Sequence, residues 1–224
     1  MLSLKSADGA PLSVEVRDLI VAGWAGRDRA AVDHHIAELA ELGVAPPSQV
    51  PLYYRVSADR LTTAARVQVL GADSSGEAEA VVLSIGGALW VGIASDHTDR
   101  KVESYSVAVS KEMCVKPMGA EVWPFAEVAD HWDELVLRSY ATIGGDRVLY
   151  QEGKVAGLLR PEELIAGWEA VHGRFSDGQA MLCGTVPAIG GIRPAERFEI
   201  VLEDPLRRRS LSHAYSMESL PVVA

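Results

Sequence analysis

The chain has 224 residues, and its 48% hydrophobic and 23% charged content is typical of a folded globular protein rather than a disordered or fibrous one. Its 31 acidic and 21 basic residues give a formal net charge of −10, which argues against nucleic acid and anionic membranes as partners. Neither a signal-peptide pattern nor an apolar window of membrane-spanning length is present, so we expect one cytoplasmic domain.

The N-terminal part predicts a strand followed by a helix. Residues 12–22 alternate with a period of two, and Gly23 begins a break. Apolar residues then recur at helical spacing over 29–42, with Asp28 as a suitable N-cap and Gly43 as a stop.

The rest of the chain predicts more strands than helices. Short alternating segments separated by turn residues run from 52 to about 91, and a strand pattern returns at 180–217. Helical spacing occurs at 125–138 and at 161–171. Because strands and helices do not alternate regularly, we expect a mainly β fold of the α+β class with a few covering helices.

Two carboxylates lie on one face of a predicted strand. The period of a strand places Glu77 and Glu79 on the same side, and Val81 and Leu83 continue that side into a predicted core. Buried like charges need protonation, basic partners or a cation, and a cation meets this need most directly. The alternative is that both residues lie on a solvated edge next to the loop 71–76.

The following strand ends at further acids. Asp96 and Asp99 come directly after the segment 88–94, where a neighbouring strand would bring them close to the glutamate pair. Oxygen ligands without cysteine favour Mg²⁺, Mn²⁺ or Ca²⁺ over zinc.

A histidine and a glutamate share one side of the predicted N-terminal helix. His35 falls at the border of the apolar stripe, whereas His34 lies nearly opposite and should meet solvent. Glu38, three residues after His35, could orient the imidazole and raise its basicity. The alternative is a partly buried histidine with a surface glutamate.

The order of these elements resembles the fumarylacetoacetate hydrolase superfamily over about Gly26 to Tyr215, most closely a bacterial subgroup with no assigned activity. The likeness is carried by Gly26-Arg-Asp with His35-x-x-Glu38, Pro51-Leu-Tyr-Tyr-Arg-Val-Ser57, Glu77-Ala-Glu79, Asp96-His-Thr-Asp-Arg100, Lys111 with Pro117 and Gly119, Tyr150-Gln-Glu-Gly153, and Asp177-Gly-Gln-Ala-Met-Leu-Cys-Gly-Thr-Val-Pro-Ala-Ile-Gly190.

The resemblance implies a fold and a metal site. It implies a mixed β-sandwich roll of the superfamily's C-terminal domain type in one domain, with an N-terminal strand and lid-helix segment at 1–59 and a β-rich metal-binding core at 60–224. A homodimer is also implied. By position in the motif, Asp96 rather than Asp99 joins Glu77 and Glu79 as a ligand of Mg²⁺ or Mn²⁺, with Ca²⁺ as an alternative.

The implied activity is hydrolysis, decarboxylation or keto-enol tautomerisation of a small 2-oxo or 1,3-dioxo acid through a metal-stabilised enolate. The resemblance carries over catalytic roles to His35, Glu38 and Lys111. It carries over substrate-binding roles to Arg100, Gln151, Gly184 and Thr185.

Three positions depart from the superfamily pattern. Val186 precedes the proline of the Gly-Thr-Pro element, Lys101 replaces an acid, and Arg29 stands where tyrosine is usual. All three fall on substrate-contacting segments, so the substrate and the choice of reaction stay open. The alternative function is a catalytically silent protein of the same fold that binds a metal and an oxo-acid.

Overall fold

A computed structural model describes residues 1–41 and 46–223, except for the side chains of His35 and Leu39. The α-helices are α1 (Arg29–Glu41), α2 (Arg100–Glu103), α3 (Val107–Met113) and α4 (Pro161–His172). Short 3-10 helices lie at Ala58–Arg60, Phe125–Glu127, Ala129–Glu134 and Val155–Gly157.

Strands make up most of the regular structure. In the first half of the chain they are β1 (Leu2–Ser6), β2 (Pro11–Val14), β3 (Asp18–Gly23), β4 (Leu52–Val56), β5 (Leu61–Thr62), β6 (Arg66–Leu70), β7 (Ser74–Ser75), β8 (Ala78–Ile85), β9 (Ala88–Ser95) and β10 (Thr98–Asp99). In the second half they are β11 (Lys116–Pro117), β12 (Glu121–Pro124), β13 (Val136–Ile143), β14 (Asp146–Lys154), β15 (Gln179–Thr185), β16 (Arg197–Asp204) and β17 (Arg209–Leu220).

The strands form two large sheets and two short ladders. The eight-stranded sheet has the order β2-β1-β12-β9-β8-β15-β3-β4, and the five-stranded sheet has the order β14-β13-β16-β17-β6. The short ladders are β10-β7 and β11-β5. Both sheets mix parallel and antiparallel pairs, for example parallel β15-β3 beside antiparallel β15-β8.

The core lies on both faces of β8, at the centre of the eight-stranded sheet. Ala80 and Val82 pack in the cluster that also contains Ile200 of the five-stranded sheet. Val81 and Leu83 point the other way, into a second apolar cluster formed largely by the same eight-stranded sheet. Because each fully buried aliphatic side chain contributes roughly 1.5–3 kcal/mol, this strand is held firmly from both sides.

Two of the predicted helices are confirmed. Helix α1 covers 29–41 of the predicted segment 29–42, whose last residue and the predicted stop at Gly43 lie outside the described residues. Asp28 is its N-cap, since its carboxylate accepts hydrogen bonds from the backbone N–H of Ala30 at 3.0 Å and Ala31 at 3.2 Å. Helix α4 begins at Pro161 as predicted. The predominance of strands confirms the mainly β, α+β fold class.

The helix predicted at 125–138 is wrong. Short 3-10 turns occupy its first part, His131 is non-helical, and Val136 begins β13. Pairing of β13 with β14 and with the distant β16 overrides the local helical spacing.

The single strand predicted at 12–22 is also wrong, because the segment forms two strands. Strand β2 pairs with β1, whereas β3 pairs with β15 and β4 at the other end of the sheet. Helices α2 and α3 were not predicted. Within the described part of the chain, no helix has the length and apolar character needed to cross a membrane.

Candidate metal centre

The pairing of β8 with β9 brings three carboxylates together. Glu79 lies opposite Ala94 in the ladder, and the backbone N–H of Asp96 donates to the carbonyl of Glu77 at 2.9 Å. One carboxylate oxygen from each of Glu77, Glu79 and Asp96 lies within 4.8 Å of the other two. We refer to these three residues as the carboxylate cluster.

The carboxylate cluster is largely withdrawn from solvent. Glu79 is 3% exposed and Asp96 is fully buried, so the solvated-edge alternative is wrong for Glu79. Burial, and then the nearby charge of Asp96, raise the pKa of Glu79 well above its usual value. Burial would also raise the pKa of Asp96, but the charges of Lys111 and Lys116 outweigh it and hold that pKa below its usual range.

The carboxylates of the cluster have too few basic partners to offset their mutual repulsion. Asp96 Oδ1 is buried and forms an ion pair with the ammonium of Lys116 at 3.1 Å, but Glu79 has no ion-pair partner among the described residues. Buried like charges close together are costly unless protonation or a cation offsets their repulsion. With three oxygen ligands in reach of one point, the residues fit a hard divalent cation such as Mg²⁺ or Mn²⁺.

Two lysines flank Asp96. Lys111, near the end of α3, bonds to Asp96 Oδ2, and its pKa is raised because attraction to Asp96 outweighs burial. Lys116, in β11, is fully buried and donates to the carbonyls of His97 at 2.6 Å and Lys111 at 2.7 Å. Burial lowers the pKa of Lys116.

Lys116 was not among the predicted site residues. Its only signal in the sequence is a lone lysine between Val115 and Pro117 in an apolar stretch. Lysine is almost never fully buried without partners, so this feature could have marked it as a site residue.

Arg100, predicted to bind substrate, is engaged by protein groups. Its Nε donates to Ser75 Oγ at 2.7 Å, and its Nη1 donates to Glu103 at 2.8 Å. Its Nη2 lies 3.0 Å from Glu77 Oε1, which fixes this outer member of the cluster. A direct contact between Arg100 and substrate stays a prediction.

The predicted substrate-binding residues Gln151 and Thr185 form a buried network behind the carboxylate cluster. The amide oxygen of Gln151 accepts from Ala78 N at 2.9 Å and from Ser139 Oγ at 2.8 Å. Its Nε2 donates to Thr185 Oγ1 at 2.8 Å and to the Val186 carbonyl at 2.6 Å. We refer to the side chains of Ser139, Gln151 and Thr185 as the amide network.

The amide network is saturated by protein partners. Thr185 Oγ1 donates to the carbonyl of Ala78 at 2.7 Å, so both backbone groups of the residue between the two glutamates are bound. In this geometry the network supports strand β8. A substrate contact for Gln151 and Thr185 stays a prediction.

Gly184, the fourth predicted substrate-binding residue, bonds to a cluster carboxylate. The pairing of β15 with β8 is irregular between Leu182 and Thr185, and the Gly184 N–H donates to Glu79 Oε2 at 2.8 Å. Gly184 has φ +92°, and a Cβ there would lie 2.9 Å from Ala25 Cβ. Glycine is therefore required for the backbone to reach Glu79.

A cleft opens near the cationic partners of the cluster, and none of the three cluster carboxylates lines it. It has a volume of about 330 Å³ and is lined in part by Trp24, Tyr54 and Glu103. Lys111 Nζ lies 5.7 Å from the Tyr54 ring centroid, and Glu103 binds Arg100. The cleft thus adjoins the cationic groups that contact Asp96 and Glu77.

The predicted histidine–glutamate pair lies in α1. The imidazole of His34, mostly exposed as expected, lies 3.3 Å from Glu38. The side chain of His35 falls outside the described residues, so its pairing with Glu38 and the catalytic roles of both residues stay predictions.

Solved structures with the same fold include enzymes. A protein from Oleispira antarctica classed as a fumarylacetoacetate isomerase/hydrolase is 16% identical with a TM-score of 0.69, and the match covers 97% of this chain and 100% of that chain. A 2-keto-3-deoxyarabinonate dehydratase is 16% identical with a TM-score of 0.66, over 92% and 75%. A protein from Burkholderia cenocepacia classed as a fumarylpyruvate hydrolase is 17% identical with a TM-score of 0.63, over 98% and 96%.

These structures confirm the predicted β-sandwich roll and the resemblance to the fumarylacetoacetate hydrolase superfamily at the level of the fold. A comparison with curated proteins finds no match. A family model described as "Protein of unknown function (DUF2848)" matches residues 22–215, and the chain therefore belongs to the DUF2848 family.

Proposed function

We propose that the protein is a divalent-metal-dependent enzyme that acts on a small 2-oxo or 1,3-dioxo acid, by C–C bond hydrolysis, decarboxylation or keto-enol tautomerisation. The observation that carries this proposal is the carboxylate cluster, in which one oxygen from each of three carboxylates lies within 4.8 Å of the other two and burial raises the pKa of Glu79. Fold neighbours that are a dehydratase or are classed as hydrolases add support.

Mg²⁺ or Mn²⁺ would be held by Glu77, Glu79 and Asp96. A bound cation supplies Lewis acidity that polarises an oxo group and stabilises negative charge on its oxygen. Substrate would enter by the cleft that is lined by Tyr54 and Glu103.

The chain's own residues have distinct proposed roles. Lys111, whose raised pKa keeps it an ammonium ion at neutral pH, stabilises negative charge on the substrate but is not a general base. Arg100 orients Glu77, and the Gly184 N–H orients Glu79. Proton transfer is assigned to His35 with Glu38, as the family resemblance implies.

The test is an oxo-acid panel assayed with Mg²⁺ or Mn²⁺, on the wild type and on Glu79→Gln. We expect turnover that chelation abolishes and the variant lacks, together with loss of bound metal from the variant. Glu121→Gln, which changes a partly exposed glutamate of the same sheet, is the matched control. The assignment is wrong if Glu79→Gln keeps both stoichiometric metal and full activity.

The second candidate is a metal- and oxo-acid-binding protein without turnover. It is favoured by one observation, namely that Arg100 and Gln151 are engaged by protein partners rather than free to bind substrate. Oxalate binding in the presence of Mn²⁺, with no turnover across the panel, would support this candidate over the enzyme.

A further inference from the structure

The cleft near the carboxylate cluster is lined mainly by apolar and aromatic side chains. Trp24, Tyr54 and Tyr105 supply three aromatic rings, and Leu52 and Val107 add aliphatic surface. The Tyr105 side chain is 87% exposed, so a group bound in the cleft has a whole ring face to cover. The volume of about 330 Å³ is at the lower end of the range of roughly 300–1,000 Å³ for small-molecule sites. The cleft therefore has the size and the lining for a small apolar group.

The charges in the cleft disfavour an anionic group. Among the described residues that line it there is no basic side chain, and the only charged one is Glu103, held by Arg100 at 2.8 Å. Lys111 lies beside the Tyr54 ring, but its ammonium is buried and already bonded to Asp96. A second carboxylate on a ligand would meet a like charge here without a free cation to balance it.

The cleft adjoins the carboxylate cluster through two of its side chains. Lys111 Nζ lies 5.7 Å from the Tyr54 ring centroid and is bonded to Asp96. On another side, Glu103 binds Arg100, which lies 3.0 Å from the outer glutamate of the cluster. A ligand whose head group binds at the cluster therefore has the cleft within reach of its tail.

Trp24 has a backbone conformation that favours glycine. Its φ of +59° lies in the left-handed region, where a bulky residue is rare, although the chain has glycine at 23 and 26. Such a conformation costs free energy and is found most often at ligand and active sites. The next residue, Ala25, lies against Gly184, whose N–H binds Glu79. The indole is thus held in the cleft wall beside the backbone that supports the cluster.

We propose, building on the metal site of the proposed function, that Trp24, Tyr54 and Tyr105 form a specificity pocket for an uncharged, apolar substituent of the oxo-acid, with an aryl ring as the best fit. An aryl group gains both from buried apolar area and from contacts with the three rings. A substituent that ends in a second carboxylate is disfavoured by Glu103. The substrate class is accordingly narrowed to oxo-acids with one carboxylate and an apolar tail.

The experiment measures the Kd of three oxamates for the full-length protein by isothermal titration calorimetry at saturating Mn²⁺. N-methyloxamate, N-benzyloxamate and the para-carboxy derivative of N-benzyloxamate share one chelating head and differ only in the substituent. We expect N-benzyloxamate to bind at least about tenfold more tightly than N-methyloxamate, because the ring buries additional apolar area. The para-carboxy derivative should lose most of this gain.

Two variants locate the effect in the pocket. Tyr105→Ala removes an exposed ring, and Trp24→Gly removes the indole while placing glycine where the backbone is left-handed, so both variants should fold. In each, the ratio of benzyl to methyl affinity should fall to about threefold or less. Damage to the fold would weaken both ligands alike and leave the ratio unchanged. Leu206→Ala, at a 63% exposed residue outside the cleft, is the matched control and should keep the ratio.

The outcomes separate the pocket from the metal site. Equal affinities of the methyl and benzyl oxamates, or a ratio that both variants keep, would overturn the pocket and leave the metal site standing. Equally tight binding of the para-carboxy derivative would overturn the preference for an uncharged group. N-benzyloxamate binding that needs no Mn²⁺ and is lost in Tyr105→Ala would support the pocket and count against the metal site. No binding of any oxamate would overturn both.

Discussion

The carboxylate cluster and the amide network meet at the same end of strand β8, yet they are built in opposite ways. In the amide network, Gln151 uses its amide oxygen and nitrogen fully, with four protein partners. In the carboxylate cluster, one oxygen from each of three carboxylates lies within 4.8 Å of the other two, and burial raises the pKa of Glu79 well above its usual value. The amide network is satisfied by the fold, and the carboxylate cluster is incomplete without a ligand.

We interpret the amide network as a support of the fold and the carboxylate cluster as the functional site. A saturated buried network rigidifies the backbone between the two glutamates and gains nothing from a ligand. An unsatisfied cluster costs stability in the free protein, and a bound cation recovers that cost. The two regions should therefore respond differently to mutation and to metal.

The largest expected effect is the response to Mn²⁺. At a free concentration of about 100 times Kd, the free energy of unfolding should rise by about 2.7 kcal/mol. For a chain of this length, this is a rise in Tm of roughly 5–10 °C, measurable by differential scanning calorimetry. Glu79→Gln should show no such rise, whereas Glu121→Gln should respond like the wild type.

Glu79→Gln should be more stable than the wild type when both proteins are free of metal. The pKa of Glu79 is raised in the folded state. The stability that this residue contributes is therefore fully present below its unfolded-state pKa of about 4.5, and it is lost as the pH rises through its folded-state pKa. A glutamine resembles the protonated form at every pH. If metal-free Glu79→Gln has a lower Tm than the metal-free wild type at pH 7, the claim that the carboxylate cluster costs stability is contradicted.

Gln151→Leu should destabilise the fold without a specific effect on metal binding. The substitution leaves buried partners of the amide unsatisfied, so urea denaturation should show a loss of about 2–4 kcal/mol in the free energy of unfolding. The Mn²⁺ affinity of the folded fraction should stay within a few-fold of the wild type. Gln68→Leu, on an exposed position of β6, should change stability by less than about 0.5 kcal/mol.

His97 follows Asp96 in the sequence and should make the stability of the fold sensitive to acid. Burial, and then the charge of Lys116, lower its pKa to about 3, so the folded protein excludes a proton that the unfolded chain takes up near pH 6.5. Stability should fall as the pH drops from 6.5 towards 3, by up to about 1.4 kcal/mol per pH unit. His97→Gln should flatten this slope, and the exposed His34→Gln should not; equal slopes in all three proteins would refute the assignment.

Thr185→Val should have the smallest effect. Loss of the hydroxyl, which donates to the Ala78 carbonyl and accepts from the Gln151 amide, should cost about 1–2 kcal/mol of stability. KM for the oxo-acid should stay unchanged, because the hydroxyl is used within the amide network. A tenfold higher KM at unaltered stability would instead support the substrate-binding role that the family resemblance implies.

Local sequence patterns and the family resemblance together predicted the carboxylate cluster. Alternation in a strand placed Glu77 and Glu79 on one face, the end of the next strand brought Asp96 and Asp99 within reach, and the resemblance selected Asp96. These residues are close in sequence, and one hairpin brings them together. The N-cap at Asp28 and the start of α4 at Pro161 were equally predictable, because capping depends on nearby residues.

Features that depend on distant pairing were not predictable. The segment 125–138 has helical spacing, but pairing with β16 draws its last residues into a sheet. The apolar setting of Lys116 could have marked it as a site residue, but its partners, the carbonyl of His97 and the carboxylate of Asp96, are brought to it only by the folded chain. The saturation of Gln151 likewise depends on residues 12 to 73 positions away.

The most direct test of the metal centre is a crystal structure of the protein with Mn²⁺ and oxalate, with anomalous diffraction measured for manganese. We expect one anomalous peak about 2.1 Å from oxygens of Glu77, Glu79 and Asp96, with oxalate completing the coordination on the side of the cleft. A manganese peak elsewhere, or no peak while Asp96 stays bonded only to Lys111 and Lys116, would contradict the metal centre.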